Sequence, residues 1–222
     1  LEKHLAAIKP PLYLTSTTRD RAVAQRWFVD FEGAGLDGLL AKPLDGPYEE
    51  NKRSQIKVKH VRTADAVVAG YRWHKDGEGI GSLLLGLWND DGNLNHVGVA
   101  ASFTKKRRKE LVDELTPLAE NAVKNHPWRL WIEQSDEQPS GSEAAVEAPG
   151  TPNRWNANRD QSWTPVRVER VVEVKYSTTL HGRFRDVTHM LRWRPDKAPE
   201  DCDYGQLEEP APFPVEDILA GR

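Results

Sequence analysis

Four short groups of polar residues in this 222-residue chain have types and spacings that could do chemistry. Asp37-Gly38-Leu39-Leu40-Ala41-Lys42 sets an acid ahead of an apolar run that ends on a lysine. Ile56 to Val61 alternates apolar and basic side chains, and the two-residue period of a strand sends Lys57 and Lys59 out on one face. Two ammonium groups then share one direction. Arg194-Pro195-Asp196-Lys197 gathers two cations and an acid near the end of the chain. Lys105-Lys106-Arg107-Arg108-Lys109 is a solid basic run, whose cations could meet nucleic-acid phosphates and release counterions. A solvated helix face is the equally common use of such a run. The seven histidines show no paired spacing for a metal, and the lone Cys202 can form neither an internal disulfide nor a cysteine-rich zinc site. A solvated thiol in a reducing compartment is expected for it.

Taken singly these groups are weak signals, because Asp-Gly turns and Lys-x-Lys strands are common. Their ordinary uses are a turn entering a strand, a solvated strand face and a charged turn after a last strand. Taken together and in order, 37–42, 57–59 and 194–197 resemble motifs IV, V and VI of the covalent nucleotidyltransferases. Nearly the whole chain resembles the C-terminal portion of the bacterial ligase C type of ATP-dependent DNA ligase. That resemblance implies ATP as AMP donor, Mg2+ or Mn2+ as metal, nicked or broken duplex DNA as repair substrate, and other repair proteins as further partners. Such chemistry is phosphoryl transfer dominated by positioning and charge neutralisation, so cations must converge on one phosphate.

By resemblance, Lys57 and Lys59 contact the α-phosphate and Lys42 points into the nucleotide pocket. Asp37 takes the place where the family usually has a metal-binding glutamate. Its reach is one methylene shorter, which favours ligation through water, a form magnesium accepts. Arg194 and Lys197 fall to the β- and γ-phosphates of ATP during enzyme adenylation, with Asp196 positioning them, and Lys105, Lys106, Arg107 and Arg108 are the candidate DNA contacts. The family nucleophile sits in Lys-x-Asp-Gly, but the residue two before each Asp-Gly is Gly35, Pro43, His74 or Asn89. The nucleophile and the motif III acid are therefore expected upstream of Leu1, in a larger protein, and the chain by itself is expected to be inactive in self-adenylation.

The elements that must position these residues follow from periodicity and punctuation. Thr15 to Asp20 offers N-caps for a helix over about 18–34, where Val23, Ala24, Trp27, Phe28 and Phe31 recur at helical spacing. Gly33, Gly35 and Gly38 end it before a short strand over 36–42. From Ala66 the texture becomes a β-meander, with strands at about 66–73, 81–88 and 94–101 separated by Asp-Gly turns. Thr104 caps a helix to about Leu118, and strands at 167–176 and 184–194 follow a Ser, Pro and Gly-rich loop at about 135–163. Three strands, a helix and two strands fit a five-stranded OB barrel. The expected class is α+β / β: part of an adenylation domain over 1–65, an OB-fold domain over 66–197 with a hinge near Arg62 to Asp65, and an acidic tail over 198–222.

Composition sets the outer bounds. The net charge of −3 does not announce a nucleic-acid protein, but the average hides a basic middle and acidic residues over 198–221. No stretch approaches the roughly 18 apolar residues of a membrane span, and no signal-peptide pattern opens the chain, so a soluble, cytoplasmic protein without membrane partners is expected. Two other readings compete. The mRNA capping guanylyltransferases share the motif order, and a chain without the lysine nucleophile can act as an OB nucleic-acid-binding module without catalysis. An adenylation sheet missing its upstream strands leaves an apolar edge at 36–40 and 56–58, from which either self-association or a disordered first segment is expected beside an intact OB barrel.

Overall fold

The computed structural model describes residues 11–133, 162–208 and 210–219. Two compact units divide the chain, one of residues 1–60 with 208–222 and the other of residues 61–207. No helix among the described residues is long and apolar enough to cross a membrane. The loop expected at 135–163, with Asn153-Arg154-Trp155-Asn156, lies outside the described residues except for its last two positions.

In the first unit, helix α1 (Arg21–Asp30) starts where Asp20 turns its carboxylate onto the amides of Ala22 and Val23. A 3-10 turn, Phe31–Ala34, ends on Gly35 at a positive φ of 83°, so the expected 18–34 helix is shorter and tightens before it stops. Strands β1 (Gly38–Ala41) and β2 (Ile56–Lys59) then pair antiparallel as an isolated two-stranded sheet, with Gly38 opposite Lys59 and Leu40 opposite Lys57. Leu40, Ile56 and Val58 are exposed on it. Chain from the far end closes this unit: Phe213 packs on Phe31 at 5.3 Å, and Gly33 lies so close to the Ala211 backbone that a side chain would not fit.

The second unit is a five-stranded antiparallel sheet in the order β5-β4-β3-β6-β9, consistent with the expected barrel. Its strands are β3 (Arg62–Trp73), β4 (Ile80–Trp88), β5 (Leu94–Ala100), β6 (Thr164–Tyr176) and β9 (His189–Trp193). The strand expected over 184–194 begins only at His189, and Phe184 instead ends a small hairpin of β7 (Thr179–Leu180) with β8 (Arg183–Phe184). Helix α2 (Lys105–Ala119) lies between β5 and β6 and is capped by the Thr104 hydroxyl on the Arg107 amide, as its sequence requires. Leu111, Leu115 and Leu118 form its buried stripe. Arg167 satisfies the far end by donating to the carbonyls of Pro117 and Glu120.

Two expectations are corrected by this unit. Arg62 to Asp65, read as a linker, begins β3 and pairs with Tyr176 to Glu173 of β6, because the strand's hydrogen bonding continues past its apolar stretch. Residues 198–207, read as the start of a tail, fold onto the sheet: the Trp88 amide donates to Cys202 O, its indole to Pro199 O, and Gln206 bonds both backbone groups of Asp65. Cys202 is consequently fully buried rather than solvated, and burial pushes its thiol up to about 12, which removes it from thiolate chemistry.

A compact aromatic group extends the core beyond the sheet. Trp128 is 2% exposed, gives its indole N–H to Leu94 O at 2.6 Å and stands against His96, His126, Trp131 and Trp163. Buried His96 accepts from Arg183 at Nδ1, and burial and that guanidinium hold its pKa down near 3 from the ordinary 6.5. A histidine depressed in the folded state is neutral there while the unfolded chain takes up a proton, so its contribution is present above pH 6.5 and is lost as pH falls from 6.5 toward 3. His96→Gln is expected to flatten the stability profile in that window by up to about 1.4 kcal/mol per pH unit, measured by urea unfolding at stepped pH. An unchanged slope would contradict a neutral buried His96.

Candidate phosphate-handling site

The first cluster is built by a two-strand register and one glycine. Residues opposite one another in an antiparallel pair point to the same side, so Gly38, Leu40, Lys57 and Lys59 share a face. Alternation alone would send Asp37 to the other face. Gly38 prevents this: its φ of 136° is closed to other residues, and a Cβ there would strike the Val58 carbonyl. The kink turns Asp37 so that its Oδ2 meets Lys57 Nζ at 2.9 Å and Lys59 Nζ at 3.2 Å. Lys57, then Lys59, hold the Asp37 carboxyl below its ordinary range against the opposing effect of burial. Lys42 is exposed just past the end of β1, and alternation carried one residue beyond that strand would bring it to the lysine face.

The second cluster closes around Asp65 at the start of β3. Asp65 Oδ2 accepts from Arg194 Nη1 at 2.7 Å and lies 3.4 Å from Lys197 Nζ, and Arg194 reaches Asp196 through Nε and Nη2. Asp196 is held down to about 2, chiefly by that guanidinium. The turn is fixed from the backbone, with the Arg194 amide on Val171 O and the Lys197 amide on Arg194 O. Arg194, Asp196 and Lys197 are thus brought together as the sequence order suggested, and Asp65 and Gln206 join them unforeseen. An acid at the start of an alternating strand carries no local signal of a partner about 130 residues away.

The basic run is placed differently from a free patch. Lys105 reaches Glu78 at 2.6 Å, Lys106 reaches Glu110 at 3.7 Å, Arg108 reaches Asp76 at 3.2 Å and Lys109 lies 4.0 Å from Glu78. Arg107 forks onto both oxygens of Glu114, whose carboxylate also takes the Trp193 indole N–H, so it braces α2 against β9. Neighbouring acids of α2 and of the β3–β4 turn therefore neutralise the run locally. Surface pairs of this kind are individually weak, and Lys105, Lys106 and Lys109 stay well exposed and able to exchange partners.

Among the described residues no group of three or more His, Cys, Asp or Glu could hold a metal. Asp37 offers a single carboxylate already faced by two ammonium groups. These residues alone do not make a metal site. A Mg2+ at Asp37 would need its other ligands from substrate phosphate and water, the form in which that ion is commonly bound.

Comparison with known proteins gives the family of the chain. Residues 76–197 match the family model of the ATP dependent DNA ligase C terminal region. The chain is 46% identical over 216 residues to DNA ligase C of Mycobacterium tuberculosis, covering 95% of this chain and 57% of that protein. It is 47% identical over 211 residues to DNA ligase C2 of Mycolicibacterium smegmatis, covering 95% and 58%. The ligase domain of M. tuberculosis LigD aligns with a TM-score of 0.48 at 25% identity, over 83% of this chain and 52% of that structure. The chain spans a little over half the length of the ligase C proteins it matches. With more than half of its residues inside the family model, the chain belongs to the family of the C-terminal region of ATP-dependent DNA ligases.

Proposed function

We propose that the chain supplies the phosphate-handling half of an ATP-dependent DNA ligase that seals nicks and breaks in duplex DNA during repair. Its first unit is read as the end of an adenylation domain and its second as the OB-fold domain. The observation that carries the proposal is the convergence of Lys57 and Lys59 on one point, marked by Asp37 Oδ2 at 2.9 and 3.2 Å. Two ammonium groups preset on one oxygen are what a transferring phosphoryl group requires, because its charge is neutralised by groups already in position. In this reading a lysine outside the chain attacks the α-phosphorus of ATP and expels pyrophosphate. AMP then passes to the 5′-phosphate of the nick, and the 3′-hydroxyl displaces it to close the strand. Lys57 and Lys59 hold the α-phosphate oxygens, Lys42 lines the nucleotide pocket, and Arg194 and Lys197 hold the pyrophosphate. Lys105, Lys106 and Lys109 take DNA phosphates by exchanging their acid partners. The test is ATP-dependent sealing of a nicked duplex by a chain extended upstream to include a Lys-x-Asp-Gly, which fails if the reading is wrong.

The two clusters are expected to separate by step. Arg194→Ala or Lys197→Ala in the extended chain should slow self-adenylation by about 10²-fold while leaving sealing of a pre-adenylated nick nearly intact, as measured in single-turnover assays. Equal losses in both steps would remove Arg194 and Lys197 from the pyrophosphate role. The competing reading, an OB module that binds nucleic acid without catalysis, rests on the absence of lysine two residues before every Asp-Gly in the chain. It predicts DNA binding but no sealing from the extended chain.

A further inference from the structure

Asp65 is a carboxylate placed where a phosphate would serve the same cations. Its side chain is 13% exposed, and those of Arg194 and Lys197 are 21% and 22% exposed. Oδ2 receives both cations, while Oδ1 is buried with no hydrogen-bond partner among the described residues. A buried carboxylate oxygen without a donor is costly, so its position is set by the cations on the other oxygen and by the backbone. Gln206 supplies that backbone hold by donating to Asp65 O and accepting from its amide. Beside the cluster runs a groove of about 320 Å³ lined by Arg170, Trp193, Arg194 and Lys197 together with Glu169. All of these residues belong to the second unit, so the arrangement does not depend on where the first unit lies.

We propose that Asp65 is an internal counter-anion that holds Arg194 and Lys197 in their resting position and competes with a polyphosphate chain for them. The proposal rests on the assignment of Arg194 and Lys197 to the pyrophosphate of ATP, and adds that their availability is regulated from within the same unit. A phosphate chain entering the groove draws both cations from Oδ2, and the carboxylate sets a threshold that weak anions do not cross. Asp196, 60% exposed on its side of Arg194, remains with the guanidinium throughout and orients it.

The test is binding of inorganic tripolyphosphate to the 222-residue chain, followed calorimetrically at low salt. Asp65→Asn keeps the shape and the Gln206 bonds to the backbone but removes the charge, and it is expected to tighten binding by about five- to tenfold. Asp65→Glu, which keeps the charge, is expected to stay within about twofold of the parent. Adding Arg194→Ala and Lys197→Ala to Asp65→Asn should abolish the gain. Tripolyphosphate binding that is equal or weaker in Asp65→Asn, while the Arg194 and Lys197 changes still weaken it, overturns the counter-anion and leaves the pyrophosphate assignment standing. Binding indifferent to Arg194 and Lys197 overturns both. A second measurement covers the case in which Asp65→Asn does not fold: in the unsubstituted chain, the Asp65 carboxyl carbon resonance should move with the Arg194 Nε resonance during titration with tripolyphosphate. Movement of Arg194 alone overturns the proposal.

Discussion

Replacing Lys59 by alanine in an upstream-extended chain is expected to lower the rate of self-adenylation by about 10² to 10³-fold, with a comparable loss from Lys57→Ala. Each removes one of two positive charges preset on a single point, and the expected loss is that of one preorganised charge at a transferring group. The two differ in setting. Lys59 is the less exposed, at 35% against 50% for Lys57, and it sits opposite Gly38, where no side chain screens it. Lys59→Arg should not restore the rate, because a planar fork cannot take the place of a compact ammonium at a site shared with Lys57. Single-turnover transfer of label from ATP to protein measures each. A loss below about threefold for both variants would place the lysines on a solvated strand face with no phosphate to hold.

The largest effect on stability is expected at Trp128, whose replacement by alanine should cost about 3–5 kcal/mol. Two causes add: the indole fills the space between His96, His126, Trp131 and Trp163, and its N–H is the donor that satisfies the buried Leu94 carbonyl. Because Leu94 opens β5 beside Gly86 of β4, the damage falls on the sheet that carries Asp65 and Arg194. Urea unfolding gives the value, and a cost below about 1 kcal/mol would mean that the aromatic group is a surface decoration independent of the core.

The sequence was most legible where structure is set by near neighbours. The Thr104 cap, the apolar stripe of α2 and the Asp-Gly turns of the meander depend on residues within a few positions, and each lies where its spacing put it, within a few residues. The face shared by Lys57 and Lys59 is likewise a property of two-residue alternation. Contacts that join distant segments were illegible for the same reason. Asp65 gave no sign of Arg194, nor Arg107 of Glu114 and Trp193, and the 105–109 run looked free because its acids at 76 and 78 lie across a turn in a different element. Cys202 was expected to be solvated as a lone thiol in a reducing compartment, whereas the Trp88 amide and indole hold residues 199–202 on the sheet and Cys202 is buried. Asp37 is the intermediate case. Its type and position were visible, but its turn onto the lysine face depends on the φ of Gly38, which only the folded backbone reveals.

The central claim is that these 222 residues hold phosphate-contacting cations of a ligase without the lysine that accepts AMP. Incubation of the chain with [α-32P]ATP and magnesium, followed by denaturing electrophoresis beside an upstream-extended chain, tests it most directly. In the proposed role Lys57 and Lys59 neutralise charge where a nucleophile would need a desolvated, in-line amine, so the chain of residues 1–222 should remain unlabelled while the extended chain carries a covalent band. A stoichiometric labelled band from residues 1–222 alone would contradict the account, because one of the lysines within it would then be the nucleophile.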